Sequence, residues 1–406
     1  MTEKADNLAN RCLKCGFCVN QCPVYRELKD ETYSPRAKLR LIKAYRDGTL
    51  KDDRTLRKVI ANCLMCEACY KNCPGGLQTS DAIAEMRVEF RDKYGLDWKK
   101  KLLRAALGDK RLRKLSAYWA RLVYNNFISN IPMPLDIPAG ALSLKNIPRL
   151  NKALSNRAAG GERKKKAFFF VGCVDRFMFS KTAEAIVKVL NATGYDVEIS
   201  PEERCCGMPM MISGDSAALG KSARINIDLM ASGNYDAIVS GCPTCIVALK
   251  QKYAGIVKGD AEYEEKLKKI APLMSDFTEL VARNIKDLPA LKEIKAEVTY
   301  HDPCHLINSL GIFSEPRKLI LATPGVEFRE LPGGPSCCGS GGFYHVYFPE
   351  LAAKIGKKKA DSIKKTQAGI TLTACPACKL QLINFTRSAK IKTEVKHIAE
   401  FLSERL

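Results

Sequence analysis

Eighteen cysteines in this chain fall into two kinds of repeated pattern, and both kinds suit metal ligation. Near the start, Cys12-Leu-Lys-Cys15-Gly-Phe-Cys18-Val-Asn-Gln-Cys22-Pro23 recurs as Cys63-Leu-Met-Cys66-Glu-Ala-Cys69-Tyr-Lys-Asn-Cys73-Pro74. Farther on, a lone cysteine, a vicinal pair followed by glycine, and a C-P-x-C run occur twice. The first copy has Cys173, Cys205-Cys206-Gly207 and Cys242-Pro-Thr-Cys245; the second has Cys304, Cys337-Cys338-Gly339 and Cys375-Pro-Ala-Cys378. Iron in clusters is soft enough to prefer thiolate. Two intervening residues let consecutive cysteines of one loop face one centre, while the loop's N–H groups turn inward on the anion. A zinc site would ask for four ligands in two pairs, not two runs of four. Vicinal cysteines make strained disulfides, and in a reducing compartment a cysteine-rich chain of this size binds metal or does redox chemistry.

In each early run the fourth cysteine, followed by proline, is aimed away from the other three. In two-cluster ferredoxins such a cysteine ligates the other cluster. The expected donor sets are therefore Cys12, Cys15 and Cys18 with Cys73, and Cys63, Cys66 and Cys69 with Cys22, each for one cubane 4Fe–4S cluster.

These residues need elements to position them. Pro35 to Asp47 and Ser80 to Tyr94 read as helices, which makes residues 1–95 a small, mostly helical domain. Residues 96–160 hold no cysteine: Lys99 to Ile128 has basic helical periodicity, and the Pro-rich run Ile131 to Pro138 stops it. Its apolar stripe fits packing on a neighbouring domain or lying on a membrane surface. After that, strand signals precede cysteines: Lys165 to Val174, Asp196 to Ser200 and Asp236 to Ser240, then Glu297 to Tyr300, Glu327 to Leu331 and Gly369 to Thr373. Cys304 follows Cys173 by 131 residues, Cys337 follows Cys205 by 132 and Cys375 follows Cys242 by 133. Such even spacing marks a duplicated module, over 161–290 and 291–406. Strands alternating with helices predict two α/β units with largely parallel sheets, with the cysteines just past the strands. The fold class expected overall is α+β.

Here the residues carry a resemblance. The two five-cysteine sets resemble the paired CCG domains of heterodisulfide reductase catalytic subunits. That family implies a noncubane 4Fe–4S cluster held by all five cysteines of each copy, with zinc as an alternative occupant of one site. A two-cluster ferredoxin domain fused to duplicated CCG domains resembles the iron–sulfur subunits of glycolate oxidase, D-lactate dehydrogenase and anaerobic glycerol-3-phosphate dehydrogenase. Ser34-Pro-Arg-Ala-Lys-Leu-Arg-Leu-Ile-Lys43 is most similar to the glycolate oxidase and lactate dehydrogenase group. Some members of that group lack the full second C-x-x-C, whereas this chain has Cys375 and Cys378, which keeps disulfide reduction open as an activity.

The resemblance implies a chain that passes electrons from an FAD-containing D-lactate or glycolate dehydrogenase to a further acceptor: an electron-transfer flavoprotein, a quinone or a membrane cytochrome. No flavin fingerprint is visible, and the Gly-rich run Gly339 to Gly342 fits no phosphate loop. The alternative is an enzyme that reduces a disulfide at a noncubane cluster. His301 and His305 flank Cys304 and suit either proton donation and cluster tuning or capping of a strand–helix junction. The net charge of +22 invites a nucleic-acid reading, but the basic residues are dispersed and no nucleic-acid-binding motif accompanies them. An acidic partner, an anionic membrane surface or a lysine-rich solvated face accounts for it. No secretory signal or membrane-length apolar run is visible, so the expected location is cytoplasmic, with peripheral contact at the inner face of the membrane open.

Overall fold

The computed structural model describes residues 2–95, 165–342 and 344–406. The basic helical stretch expected over 96–160 lies outside the described residues.

The N-terminal unit is helical, with Thr2–Asn10, Pro23–Leu28, Pro35–Arg46, Arg54–Ala61, Ala68–Lys71 and Thr79–Tyr94. Local chemistry sets its helix starts. The Ser34 hydroxyl accepts from the Ala37 N–H with Pro35 in the first turn, and the Asp53 carboxylate accepts from the Leu56 N–H; both orphan donors are thereby satisfied. Leu39, Ile42, Leu56, Ile60, Ile83 and Met86 close a common core.

Two four-stranded sheets follow. β1 (Lys165–Phe169), β2 (Tyr195–Glu198), β3 (Ala237–Ser240) and β4 (Met274–Asp276) lie in the order β2-β1-β3-β4. β5 (Ala296–His301), β6 (Val326–Arg329), β7 (Ile370–Thr373) and β8 (Glu394–His397) lie in the order β6-β5-β7-β8. Every pairing is parallel. The inner strands β3 and β7 are buried at every residue, as parallel sheets covered on both faces require. The fold is thus a helical cysteine-rich unit followed by two α/β repeats, as the sequence predicts. The sequence does not predict β4 and β8: Met-Ser-Asp and Glu-Val-Lys-His are too short and too polar to give a strand signal.

The two repeats pack about a pseudo-twofold axis. Helix Ser180–Ala192 of the first lies against Ile398–Ser403 of the second, and helix Phe277–Arg283 of the first against Ser314–Leu321 of the second. One core results, with Phe169, Ile186, Leu190 and Val239 beside Tyr300, Leu372, Phe401 and Leu402. A single fully buried side chain such as Phe401 stabilises this union by roughly 1.5–3 kcal/mol. Polar contacts fix its register: the Thr182 hydroxyl donates to Glu400 Oε1 at 2.7 Å, and Lys379 Nζ reaches the same oxygen at 2.6 Å.

Candidate metal centres

The two early cysteine runs fold into matching loops. Two and four residues after the first cysteine, each loop enters the left-handed region: Lys14 (φ 58°) and Gly16 (φ 84°) in one, Met65 (φ 55°) and Glu67 (φ 57°) in the other. Such alternation turns successive N–H groups toward one side and makes an anion-binding concavity. The Met65 N–H donates to Cys63 Sγ at 3.4 Å.

The fourth cysteines cross over. Cys12, Cys15, Cys18 and Cys73 line one cavity with Arg36; Cys22, Cys63 and Cys66 line the other with Lys38. Cys69 borders both. A cation therefore stands at each. Lys38 is fully buried and donates to the Asn62 carbonyl at 2.6 Å. The first cavity is the outer one: Cys15 is exposed, and Leu13 and Phe17 are 71% and 66% exposed around it.

In each α/β repeat the five cysteines come from three strand ends. Cys173 opens the helix after β1, and Cys304 opens the helix after β5. Cys242 and Cys375 each precede the Pro that begins the helix after β3 or β7. The vicinal pairs end loops after β2 and β6. The glycine after each pair is left-handed, Gly207 at φ +89° and Gly339 at φ +86°. A Cβ there would meet Leu219 Cδ1 at 2.2 Å or the Ala352 carbonyl oxygen at 2.9 Å. Glycine is required both for the backbone angle and for the close approach.

All ten thiols form one continuous row. It runs from Cys173 to Cys205 at 3.8 Å, through Cys206, Cys245 and Cys242, and across to Cys375 and Cys378. It continues from Cys378 to Cys338 at 3.4 Å, and ends at Cys337 and Cys304. Eight of the ten are buried; the two ends, Cys173 and Cys304, are partly open.

The second early loop is built into this assembly. His305 Nε2 meets the Met65 carbonyl at 2.8 Å while its Nδ1 meets Thr244 Oγ1 at 2.9 Å. Asn308 donates to the Cys66 carbonyl at 2.9 Å. Glu67 accepts from Lys252 at 2.7 Å and from Ser309, and Lys252 also holds Asp81. Arg87, buried, donates to the Cys63 and Ala61 carbonyls and to Ile212 of the first repeat. Cys66 consequently shares a core with Cys337, with Cys304 packed beside it. The donor sets lie in a fixed order: the exposed early set, the inner early set, the second repeat's set, then the first repeat's.

The thiols suit a positively charged occupant. Burial pushes Cys66 and Cys69 well up, and neighbouring thiols push further: Cys337 and Cys304 on Cys66; Cys63, Cys22 and Cys18 on Cys69. Burial likewise raises Cys18 to about 11. So many thiolates cannot be ionised together in one dry site without cations to offset them. Every cysteine is a free thiol. Soft, convergent sulfur donors with N–H groups aimed at them, as Gly339 is at Cys337 Sγ, fit iron–sulfur clusters.

Sequence reasoning missed Lys38, Glu67, Lys252 and Arg87, which have partners from 24 to 242 residues away. Glu67 sits inside a cysteine run and Lys252 in a lysine-rich stretch, so neither had a local signal.

Comparison with known proteins agrees with this geometry. A cysteine-rich domain model, CCG, matches residues 167–250 and 298–383, and a 4Fe-4S dicluster domain model matches residues 8–77. A probable glycolate oxidase iron-sulfur subunit of Bacillus subtilis is 30% identical over 97% of this chain and 93% of its own length. A glycolate oxidase iron-sulfur subunit of Escherichia coli is 26% identical over 99% of this chain and 95% of its own. Lactate utilization protein A of Oceanobacillus iheyensis is 28% identical over 59% of this chain and 96% of its own.

Proposed function

The chain belongs to the family of CCG-domain iron–sulfur subunits that includes the Bacillus subtilis protein, and from that we propose that it carries electrons within a 2-hydroxyacid dehydrogenase complex. The single observation that supports this best is the order of the four donor sets, which links the exposed early set to the first repeat's set without a break. We assign Cys12, Cys15, Cys18 and Cys73 to one cubane, and Cys63, Cys66, Cys69 and Cys22 to the other. Each five-cysteine set holds a noncubane cluster, or in one repeat zinc. Clusters of this kind supply one-electron redox chemistry. The protein's part is to fix their spacing, exclude water and place Lys38 and the loop N–H groups against their negative charge.

The partner is a separate FAD-containing protein that oxidises D-lactate or glycolate, and the exposed Leu13 and Phe17 beside Cys15 give it an approach. The final acceptor is an electron-transfer flavoprotein, a quinone or a membrane cytochrome. No described helix is long and apolar enough to cross a membrane. A second reading, disulfide reduction at a five-cysteine set, is favoured by one observation: the second repeat keeps both Cys375 and Cys378, with Cys378 Sγ 3.4 Å from Cys338 Sγ and Cys375 beside Cys378.

Anaerobic purification of the native complex, with mass spectrometry and a flavin spectrum of what accompanies the chain, tests the proposal. A stoichiometric flavoprotein of the FAD-linked oxidase type is the expected result. A haem-bearing membrane protein without flavin would overturn it in favour of disulfide reduction.

A further inference from the structure

The third residue before the lone cysteine is one of the buried positions at which the two five-cysteine sets differ. His301, the last residue of β5, stands three residues before Cys304, and Phe170 stands three residues before Cys173. Both side chains are fully buried. Phe170 packs among the first set's sulfurs and aliphatic groups and asks for nothing more.

His301 is different. Neither of its ring nitrogens has a hydrogen-bond partner among the described residues. The other three histidines are engaged: His305 with Met65 and Thr244, His345 with Ser340, and His397 with Gly241 and Ala399. Leaving a buried imidazole without a partner is costly, so a position that keeps one has a use for it. One nitrogen lies within 4.8 Å of both the Cys338 and Cys378 sulfurs, and those sulfurs are 3.4 Å apart. That places a nitrogen and two thiols around one ion-sized volume. A neutral imidazole offers one lone pair to a metal.

We propose that His301, Cys338 and Cys378 bind one metal ion together, so that the second set has a nitrogen ligand and the first, with Phe170, has sulfur ligands only. This rests on the iron–sulfur reading given above. Both iron and zinc accept mixed imidazole and thiolate donors. Where imidazole replaces thiolate on cluster iron, the reduction potential rises. The two sets would then differ in potential, or in the metal they select, although one duplication produced both.

The test uses the intact protein, purified anaerobically with 15N-labelled histidine. Iron and zinc are counted first, and the second set's share is the amount lost in Cys304→Ala. If that share is iron, pulsed EPR of its paramagnetic state should show a histidine nitrogen coupled as strongly as a direct ligand; if zinc, X-ray absorption at the zinc edge should show imidazole scattering. His301→Phe should abolish either signal, and the measurement on the unsubstituted protein stands even if that variant fails to fold. Metal present at the second set with no bound imidazole would overturn the inference and leave the iron–sulfur reading intact. No metal lost in Cys304→Ala would overturn both.

Discussion

Cys242 of the first repeat and Cys375 of the second are in side-chain contact, so two sets of donors that are 133 residues apart in sequence meet at the pseudo-twofold axis. If each set holds its own metal, Cys375→Ala should remove about one cluster's worth of iron and leave the other. Iron and acid-labile sulfide analysis, with EPR of what remains, checks this. Equal loss from both sets would mean that the ten thiols form one joint centre.

Lys252 bridges Glu67 and Asp81, and it is nearly buried along with Glu67. Lys252→Met should destabilise the protein by about 3–5 kcal/mol, because it takes the counter-charge from a buried carboxylate. Denaturant unfolding measures the loss, and Glu67→Gln added to Lys252→Met should recover part of it.

The Glu400 carboxyl is held below the usual carboxylate range. Burial alone would raise it, but Lys379 beside it and the bonds from Lys379, Thr182 and the His397 N–H prevail. A depressed carboxyl stabilises the fold above its unfolded pKa, ~4.3, and that contribution is lost as pH falls through the lower folded value. Glu400→Gln should therefore be less stable than wild type at neutral pH, and the gap should narrow below pH ~4. Thermal unfolding at a series of pH values tests the sign.

Much of this was legible in the sequence, for reasons that differ by element. The early loops announce themselves because ligands of one cluster come mostly from one short run, as Cys12, Cys15 and Cys18 do. β1 and β3 were visible as apolar stretches such as Ala-Phe-Phe and Ala-Ile-Val, which only a covered parallel sheet explains. β4 and β8 were not, because an edge strand of three or four residues inherits its place from its neighbour. The order of the donor sets was invisible for a different reason: it depends on His305 reaching Met65, 240 residues away, and no local pattern encodes that. His301 stands out beside Cys304 in the sequence, but its difference from Phe170 acquires meaning only with both buried at equivalent places.

Gly339→Ala should cost about 1–3 kcal/mol in backbone strain alone, and its methyl would press on the Ala352 carbonyl. Because Cys338 precedes it, the second set should lose metal before the protein unfolds. Metal content followed along a thermal ramp distinguishes that order from simultaneous loss.

Leu13→Ser with Phe17→Ser changes two exposed side chains and should leave cluster content and stability within about 0.5 kcal/mol of wild type. Electron transfer from the proposed FAD-containing partner should slow several-fold. Stopped-flow reduction of the assembled complex reads this directly, and an unchanged rate would move the docking face elsewhere.

The sealed row of thiols also constrains how the molecule is made. Eight of its ten members are shut in once the repeats share their core, and only Cys173 and Cys304, at its two ends, are partly open. Metal delivered before the halves meet would reach every thiol directly, whereas metal delivered afterwards has to enter past one of those two ends.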